Sequence, residues 1–249
     1  MLDQNTISDD LKVTLVIPAY NEEKYIGKCL QAVIDSGAKF CEIIVIDNAS
    51  KDRTGEIARG FMEYGVRVVR EEKKGLTQAR QRGYLEAKGD IIANIDSDAL
   101  LPKGWYEWVI SVFSKRGDVV CVSGPYFYYD ISSAKQFFVK YFYWYLCAMP
   151  MYFLIGYMVT GSNFAIRRST LDKMNGFDTS IAFYGEDTNI ARRASKFGKV
   201  LFSFKHSMPT SGRRFVAHGF CKTGYLYLKN FLSEVFFRKP ATTDYIDIN

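Results

Sequence analysis

The chain has 249 residues, of which 48% are hydrophobic and 24% are charged, so it can bury the core of one large α/β domain or two small ones. Its formal net charge of +6 is modest and no basic tract stands out, which argues against a nucleic-acid partner and favours an anionic small molecule or an acidic membrane surface. The five cysteines are widely spaced, without a Cys-x-x-Cys pair or a zinc-ligand pattern, so we expect free thiols in a reducing compartment.

Residues 1–10 are polar and acidic, unlike a signal peptide, so the folded part is expected to face the cytosol. After them, short apolar runs alternate with segments of helical periodicity, which predicts a parallel sheet with right-handed crossovers. The predicted strands are residues 13–17, 43–46, 66–70 and 91–95, and the predicted helices are residues 21–37, 52–64 and 77–87. The first turn, Pro18-Ala19-Tyr20-Asn21, lacks the glycines of a dinucleotide-binding loop, and no Walker sequence is present.

The alternation of strands and helices loosens after residue 100. The predicted elements there are a helix over 105–113, a strand over 119–122, a tyrosine-rich loop over 126–133, a helix over 189–197 and a strand over 200–204. Residues 222–239 combine aromatic side chains with lysine and arginine, a composition typical of an amphipathic helix that lies on an anionic membrane surface.

Residues 141–166 contain no charged residue, and this length is sufficient to span a bilayer. Pro150, Gly156 and the polar residues 160–163 argue against a spanning helix, and tyrosine and tryptophan favour the membrane–water boundary over the hydrocarbon centre. We therefore expect a half-buried amphipathic element that dips into lipid. A core helix beneath a ligand cleft is the alternative.

Two carboxylates, Asp96 and Asp98, directly follow the predicted strand 91–95. Ligands of open α/β sheets bind beyond the carboxyl ends of the strands, and alternate residues of an extended chain point the same way. Hard oxygen ligands suit Mg²⁺ or Mn²⁺, which are usually shared with substrate phosphates. The alternative is an Asp-rich turn in which Asp96 or Ser97 caps the next helix.

Several motifs follow one another along the chain, and their order is more specific than any one of them. They are VIPAYNEE at 16–23, IDNASKDRT at 46–54, GLTQARQRG at 75–83, DSD at 96–98, GFD at 176–178 and GED at 185–187. Together they closely resemble the family 2 glycosyltransferases, a large group of inverting enzymes with the GT-A fold. The resemblance covers most of the chain, from Val13 to about Phe204.

The resemblance implies a single GT-A domain over residues 1–249, an α/β fold with a Rossmann-like, mostly parallel sheet flanked by helices. Residues 11–125 would form the nucleotide-sugar-binding half, and residues 126–212 the acceptor and catalytic half. Residues 213–249 would form a C-terminal amphipathic helical tail close to the membrane.

The resemblance also implies nucleotide-binding residues. Asp47 matches the acid that accepts a hydrogen bond from the imide N–H of uracil, and an Asx-turn is its alternative interpretation. Pro18, Tyr20 and Glu22 match the first nucleotide-contacting loop, where Pro18 and Tyr20 would shape the loop. Glu22 could instead be a first-turn acid of a helix, favoured by the helix dipole.

Arg80 would pair with a phosphate or buttress the Asp-x-Asp loop, and a solvated helix arginine is its alternative. Asp98 would be the metal ligand, with Asp96 contacting the ribose or metal-bound water. The cofactor would be Mn²⁺ or Mg²⁺, which makes the diphosphate a better leaving group. His206 could complete the metal shell, and a surface histidine is the alternative.

Asp187 matches the catalytic base of the family, which takes the proton of the acceptor hydroxyl. Glu186 would orient Asp187 or touch the acceptor. Both could instead be ordinary first-turn acids of the helix that follows. Residues 210–214 could form a flexible lid whose arginines, Arg213 and Arg214, close on the diphosphate.

The sequence therefore predicts a metal-dependent inverting glycosyltransferase that moves a sugar from a nucleoside diphosphate sugar, with UDP favoured, to a hydroxyl or phosphate acceptor. The acceptor would be a glycan or a lipid-linked molecule, and the enzyme would lie at the cytosolic face of a membrane. One alternative is a catalytically degenerate, nucleotide-binding membrane-associated protein. Another, a sugar nucleotidyltransferase, would need a glycine-rich first loop with a basic residue, which is absent. The oligomeric state stays open.

Overall fold

The computed structural model describes residues 11–181 and 183–242, and the predictions for residues 1–10 and 243–249 lie outside this part. The strands are β1 Val13–Ala19, β2 Glu42–Asp47, β3 Val66–Arg70, β4 Ile91–Asn94, β5 Val119–Ser123, β6 Tyr126–Tyr128, β7 Phe164–Arg167, β8 Lys199–Phe202 and β9 Met208–Thr210. The helices are α1 Ile26–Asp35, α2 Thr54–Arg59, α3 Leu76–Glu86, α4 Trp105–Lys115, α5 Ser133–Phe137, α6 Met149–Ile155, α7 Arg168–Lys173, α8 Glu186–Ala194, α9 Arg213–His218 and α10 Phe220–Phe237. A 3-10 turn, Met62–Tyr64, and a π-helix, Phe138–Ala148, complete the described elements.

The main sheet has seven strands in the order β3-β2-β1-β4-β7-β5-β8. Strand β1 pairs in parallel with β2 and with β4, and β2 pairs in parallel with β3. Strand β5 pairs in parallel with β8. Strand β7 alone runs antiparallel, between β4 and β5. A second, two-stranded sheet pairs β6 with β9. The prediction of a mostly parallel sheet flanked by helices is thus confirmed.

The core lies on both faces of the main sheet because successive side chains of a strand point to opposite faces. On β1, Leu15 and Ile17 pack with apolar side chains of α1 and α4, whereas Val16 packs with those of α3 and α8. All three side chains are fully buried. This two-sided burial fixes β1 and β4 at the centre of the molecule and brings their carboxyl ends to one edge.

The first loop is longer than the sequence predicted. Helix α1 begins at Ile26, not at Asn21, because residues 21–25 are tied to the loop that follows β2. The backbone N–H of Asn21 donates to Ser50 Oγ at 3.1 Å, and that of Glu22 donates to Thr54 Oγ1 at 2.6 Å. The loops after β1 and β2 therefore form one hydrogen-bonded layer at the edge of the sheet.

The uncharged segment 141–166 is divided between two structures. Its first part belongs to the π-helix and α6, in which Trp144 and Tyr152 are buried while Leu146 and Leu154 are 63% and 80% exposed. Its last residues, starting at Phe164, form β7 inside the main sheet, which the sequence analysis did not predict. The half-buried amphipathic character is therefore found only before residue 156. Within residues 11–181 and 183–242, no helix combines the length and the apolar character needed to cross a bilayer.

Helix α10 is fastened to α8 through a buried carboxylate. Glu234 is fully buried, and its Oε1 accepts from Asn189 Nδ2 at 3.0 Å and from Arg192 Nη2 at 2.7 Å. Charge-assisted hydrogen bonds of this kind are stronger than neutral ones. The C-terminal helix is thereby held beside the start of α8.

Candidate active site

The carboxyl ends of β1, β2 and β4 open into a cavity of about 570 Å³. It is lined by most of the side chains that the sequence singled out, namely Pro18, Tyr20, Glu22, Asp96, Asp98, Glu186, Asp187, Arg213 and Arg214. These residues come from four separate stretches of the chain. The structure thus brings the predicted donor residues and the predicted base to one site.

Arg80 of α3 is the buried link between the two sides of this cavity. Its side chain is 1% exposed, so the interpretation as a solvated helix arginine is wrong. Nη1 forms an ion pair with Glu186, while Nη2 lies 3.3 Å from Asp96 Oδ1 and donates to the carbonyl of Gly161 at 3.0 Å. Arg80 therefore buttresses the Asp-x-Asp loop, as one of its two predicted roles required.

Glu186 and Asp187 occupy the first turn of α8, after Gly185 in the left-handed conformation at φ 84°. Burial raises the pKa of Glu186 to about 8, against the opposing effect of the Arg80 guanidinium. Burial also raises the pKa of Asp187, which accepts a hydrogen bond from the N–H of Thr188 at 3.0 Å. They are first-turn acids, as the alternative held, but they also face the cavity. A carboxylate whose pKa lies above its usual range is a stronger base than a free one.

Asp98 and Glu22 share one guanidinium. Arg213 forms an ion pair with Glu22, and its Nε lies 3.4 Å from Asp98 Oδ2. Thr210 Oγ1 donates to Asp98 Oδ1 at 2.9 Å. Burial raises the pKa of Asp98 to about 6 and that of Glu22 to about 7, with Arg213 opposing both shifts.

The predicted lid over residues 210–214 needs correction. Thr210 ends strand β9, and Arg213 and Arg214 begin helix α9. The guanidinium of Arg213 also lies over the ring of Tyr25, with Cζ 4.5 Å from the centroid. This segment is a hydrogen-bonded wall of the cavity in the structure.

The carboxylates fit a divalent cation that is shared with a substrate. Asp96 and Asp98 both line the cavity, and the Asp96 side chain is 38% exposed, so it can be reached. In the described part of the chain, no three His, Cys, Asp or Glu side chains are grouped so as to enclose a metal. Two hard oxygen ligands without a third protein ligand match Mg²⁺ or Mn²⁺ completed by phosphates and water, not a closed structural site.

His206 does not join this pair of carboxylates. Its ring stacks on Trp108 at 4.2 Å between centroids, and its Nδ1 is hydrogen-bonded to Ser203 Oγ at 2.7 Å. It is not among the residues that line the cavity. We therefore remove His206 from the metal ligands that the sequence suggested.

Asp47 is held by the chain itself. Oδ1 accepts from the N–H of Ser50 at 3.1 Å, and Oδ2 forms an ion pair with Arg70 at 2.9 Å. Asn48, not Asp47, lines the cavity, and it fixes the loop before α3 by accepting from the N–H of Gly75 at 2.8 Å. This local bonding agrees with the turn interpretation of Asp47. Its contact with uracil stays a prediction.

Several cavity residues escaped the sequence analysis. Lys74 places its Nζ 3.9 Å from the ring centroid of Tyr20. An aromatic group from distant parts of the chain also lines the cavity, namely Tyr126, Tyr128, Tyr143, Phe215 and Tyr227. The tyrosine-rich stretch after residue 125 was interpreted as a loop, whereas Tyr126–Tyr128 is strand β6. Tyr143 and Tyr227 belong to the segments 141–166 and 222–239, which were assigned to a membrane surface, although a helix beneath a ligand cleft was the alternative for the first.

The sequence model of Glycosyl transferase family 2 matches residues 14–174, which is more than half of the chain, so the chain belongs to this family. Glycosyltransferase GlyG of Streptococcus pneumoniae serotype 4 is 30% identical over 207 residues, which cover 82% of this chain and 61% of GlyG. The probable glycosyltransferase YdaM of Bacillus subtilis is 31% identical over 205 residues, which cover 75% of this chain and 47% of YdaM. The chain thus spans less than two thirds of the length of these relatives.

Solved structures share the fold. The mannosyltransferase PcManGT from Pyrobaculum calidifontis superposes with a TM-score of 0.68 at 19% identity, covering 93% of this chain and 66% of that protein. Glucosyl-3-phosphoglycerate synthase from Mycobacterium tuberculosis superposes with a TM-score of 0.62 at 19% identity, covering 96% of this chain and 86% of that protein. Residues 1–349 of TarS from S. aureus superpose with a TM-score of 0.62 at 14% identity, covering 91% of this chain and 73% of that protein. The GT-A fold prediction is confirmed.

Replacement of Arg80 by Met should destabilise the protein, because it leaves Glu186 buried without its counter-charge. Loss of one partner of a buried ion pair costs about 3–5 kcal/mol. Arg82→Met is the matched control on the same helix, since the Arg82 side chain is 42% exposed and pairs with Glu86 at the surface. That variant should lose less than about 1 kcal/mol. Urea unfolding measures the free energy of unfolding of both variants. Equal losses of stability in the two variants would contradict a structural role for Arg80.

Proposed function

We propose that the chain is a metal-dependent, inverting glycosyltransferase that moves a sugar from a nucleoside diphosphate sugar to an acceptor. The observation that carries the proposal is that Arg80 joins the carboxylate pair Asp96 and Asp98 to the acids Glu186 and Asp187 around one cavity. Such a site has a place for the leaving group on one side and a base on the other. Membership of family 2 supports the same reaction class.

The donor side is the part of the cavity next to β1 and β2. Pro18, Tyr20 and Asn48 line it, and the Lys74 ammonium lies over Tyr20 where it can meet a phosphate. The solved structures of PcManGT and TarS contain GDP-Man with Mn²⁺ and UDP-GlcNAc, respectively. We favour UDP on the basis of Asp47, whose family counterpart binds uracil.

Asp96 and Asp98 would hold the divalent cation. A cation bound there neutralises the diphosphate and makes it a better leaving group. The synthase structure contains Mn²⁺ together with UDP. Arg213 forms ion pairs with Glu22 and Asp98, and its guanidinium would supply further positive charge beside the diphosphate oxygens.

Asp187 would act as the general base. The acceptor oxygen forms a bond to the anomeric carbon, the bond from that carbon to the diphosphate oxygen breaks, and the acceptor proton passes to the Asp187 carboxylate. A single displacement of this kind inverts the anomeric configuration. The two acids would repel a phosphate acceptor, so they favour a hydroxyl.

Asp98→Asn should abolish metal-dependent transfer while the protein melts near the wild-type temperature, because the amide keeps the size of the side chain but is a poor metal ligand. Calorimetry should find weaker binding of Mn²⁺ with UDP, and a parallel titration with GDP tests the choice of nucleotide. Asp118→Asn is the control, at a surface aspartate that is 58% exposed, and it should bind Mn²⁺ with UDP as the wild type does. Undiminished transfer by Asp98→Asn in excess chelator would refute the metal role.

Asp187→Asn should lower kcat by about 10²–10⁴ and leave the affinity for UDP close to that of the wild type, because the residue faces the acceptor. The wild-type rate should also fall on acidification at a pH above the usual aspartate pKa of 3.8, since burial raises the pKa of Asp187 and protonation removes the base. Loss of UDP binding in step with kcat would place Asp187 in the donor site instead.

We also propose that the enzyme works on a membrane surface. Exposed apolar side chains on α6 and α10 include Phe153, Leu154, Phe236 and Phe237, each at least 72% exposed. Lys222 and Lys229 are exposed on α10 as well. Apolar insertion and attraction to anionic headgroups together stabilise such an interface.

Replacement of both Phe236 and Phe237 by Ser should weaken binding to liposomes without changing nucleotide affinity, because neither residue lines the cavity. Wild-type binding should rise with the anionic lipid content and fall only partly with salt, which screens the charges but not the apolar contacts. Replacement of Met62, which is 63% exposed on the 3-10 turn, by Ser is the control. Failure of the wild type to bind liposomes of any composition would refute the membrane proposal.

A further inference from the structure

The cavity extends beyond the carboxylates into an aromatic chamber, defined as Tyr126, Tyr128, Tyr143, Phe215 and Tyr227. The rings pack in series, with 5.3 Å between the centroids of Tyr126 and Tyr128, 4.9 Å between those of Tyr128 and Phe215, and 6.0 Å between those of Phe215 and Tyr227. Asp187, the proposed base, lines the same cavity. Tyr128 is 5% exposed and its burial raises the pKa of its hydroxyl, whereas Tyr143 is 40% exposed at the edge of the chamber.

Such a chamber offers ring faces together with neutral hydroxyl groups. Pockets of this composition hold ligands that combine apolar surface with a few polar groups. A hydroxyl-bearing head placed there would lie beside Asp187, where its proton can be removed. An anionic head would meet Glu186 and Asp187 instead.

A second group of cavity residues is wholly uncharged. This apolar exit consists of Cys147, Ala148, Met151, Leu228 and Phe231, from the π-helix, α6 and α10. Cys147 is exposed and Leu228 is 54% exposed, although both line the cavity. Residues that line a cavity and are also exposed mark a place where it opens to the outside.

The surface around this opening is apolar as well. The same helical segments expose Leu146, Phe153, Leu154 and Tyr225, each more than half exposed. On the donor side, the exposed Lys74 lines the cavity. The lining of the cavity therefore combines a charged part, next to Lys74, with an apolar part on the helices that carry the proposed membrane surface.

We propose that the acceptor is an amphiphile whose hydroxyl-bearing head occupies the aromatic chamber and whose lipid chain leaves through the apolar exit between Cys147 and Leu228. This assignment rests on the proposed transferase function and names its acceptor class. A glycan without a lipid chain would use the chamber and leave the apolar exit unfilled. Burial of a lipid chain there strengthens binding by about two- to fourfold per CH₂ group.

Cys147 gives a direct probe of this exit. In a background with Cys41→Ser and Cys221→Ser, the buried Cys29 and Cys121 should react slowly, so N-ethylmaleimide should label Cys147. Octyl glucoside below its micelle concentration should slow this labelling several-fold, whereas methyl glucoside at the same concentration should not. UDP with Mn²⁺ should leave the rate unchanged, because the nucleotide would occupy the donor side of the cavity, next to Lys74. Equal protection by both glucosides, or by neither, would overturn the proposal.

A charge at the exit supplies the second test. In Leu228→Asp the protection of Cys147 by octyl glucoside should disappear, because the chain would meet a carboxylate. Leu85→Asp is the matched control, since Leu85 is 66% exposed on α3 and lies outside the cavity. Calorimetry with UDP and with GDP, each with Mn²⁺, on the same proteins separates the two proposals. Absent nucleotide binding refutes the transferase, whereas normal nucleotide binding without any effect of chain length refutes only the amphiphilic acceptor.

Discussion

The site depends on one buried guanidinium. Arg80 reaches from α3 to three acceptors that belong to three different parts of the chain: the Asp-x-Asp loop after β4, the turn before β7 and the first turn of α8. The planar, permanently charged fork of arginine can satisfy several acceptors at fixed angles, which lysine cannot do. Because the ion pair is buried, removal of either partner leaves an uncompensated charge inside the protein, which is strongly destabilising. Arg80 thereby fixes the position of the donor-side carboxylates relative to that of the proposed base.

The backbone around Arg80 is adapted to this contact. A Cβ atom on Gly161 would lie 2.7 Å from Arg80 Nη2 and 2.9 Å from Glu186 Oε1, so no larger residue fits without displacing the ion pair. Gly161 lies in the turn just before β7. Because β7 runs antiparallel to β4 and its first residue, Phe164, pairs with Asn94 at the end of β4, this turn lies beside the Asp-x-Asp loop. The antiparallel strand is thus a part of the site as well as of the sheet. The aromatic chamber and the proposed base then occupy the side of the cavity beyond it.

The parallel half of the fold and the main acidic residues could be predicted from the sequence, because each depends on local patterns. Strands of buried aliphatic residues alternate with helices, and the motifs stand at the strand ends. Strand β7 was missed because its residues belong to a long uncharged run without strand punctuation. The pairing of Glu22 with Arg213 joins residues 191 positions apart, and nothing local indicates it. His206 resembled a ligand by type alone, whereas its position depends on stacking with Trp108.

In the proposed mechanism, the leaving group lies at Asp96 and Asp98 and the base is Asp187, and no second nucleophile is required between them. The central claim is therefore a single displacement at the anomeric carbon. The most direct test is the anomeric configuration of the product, read from the proton coupling constants of the transferred sugar by NMR in a reaction sampled before any mutarotation. We expect a product of inverted configuration relative to the donor. A product that retains the configuration of the donor would contradict it.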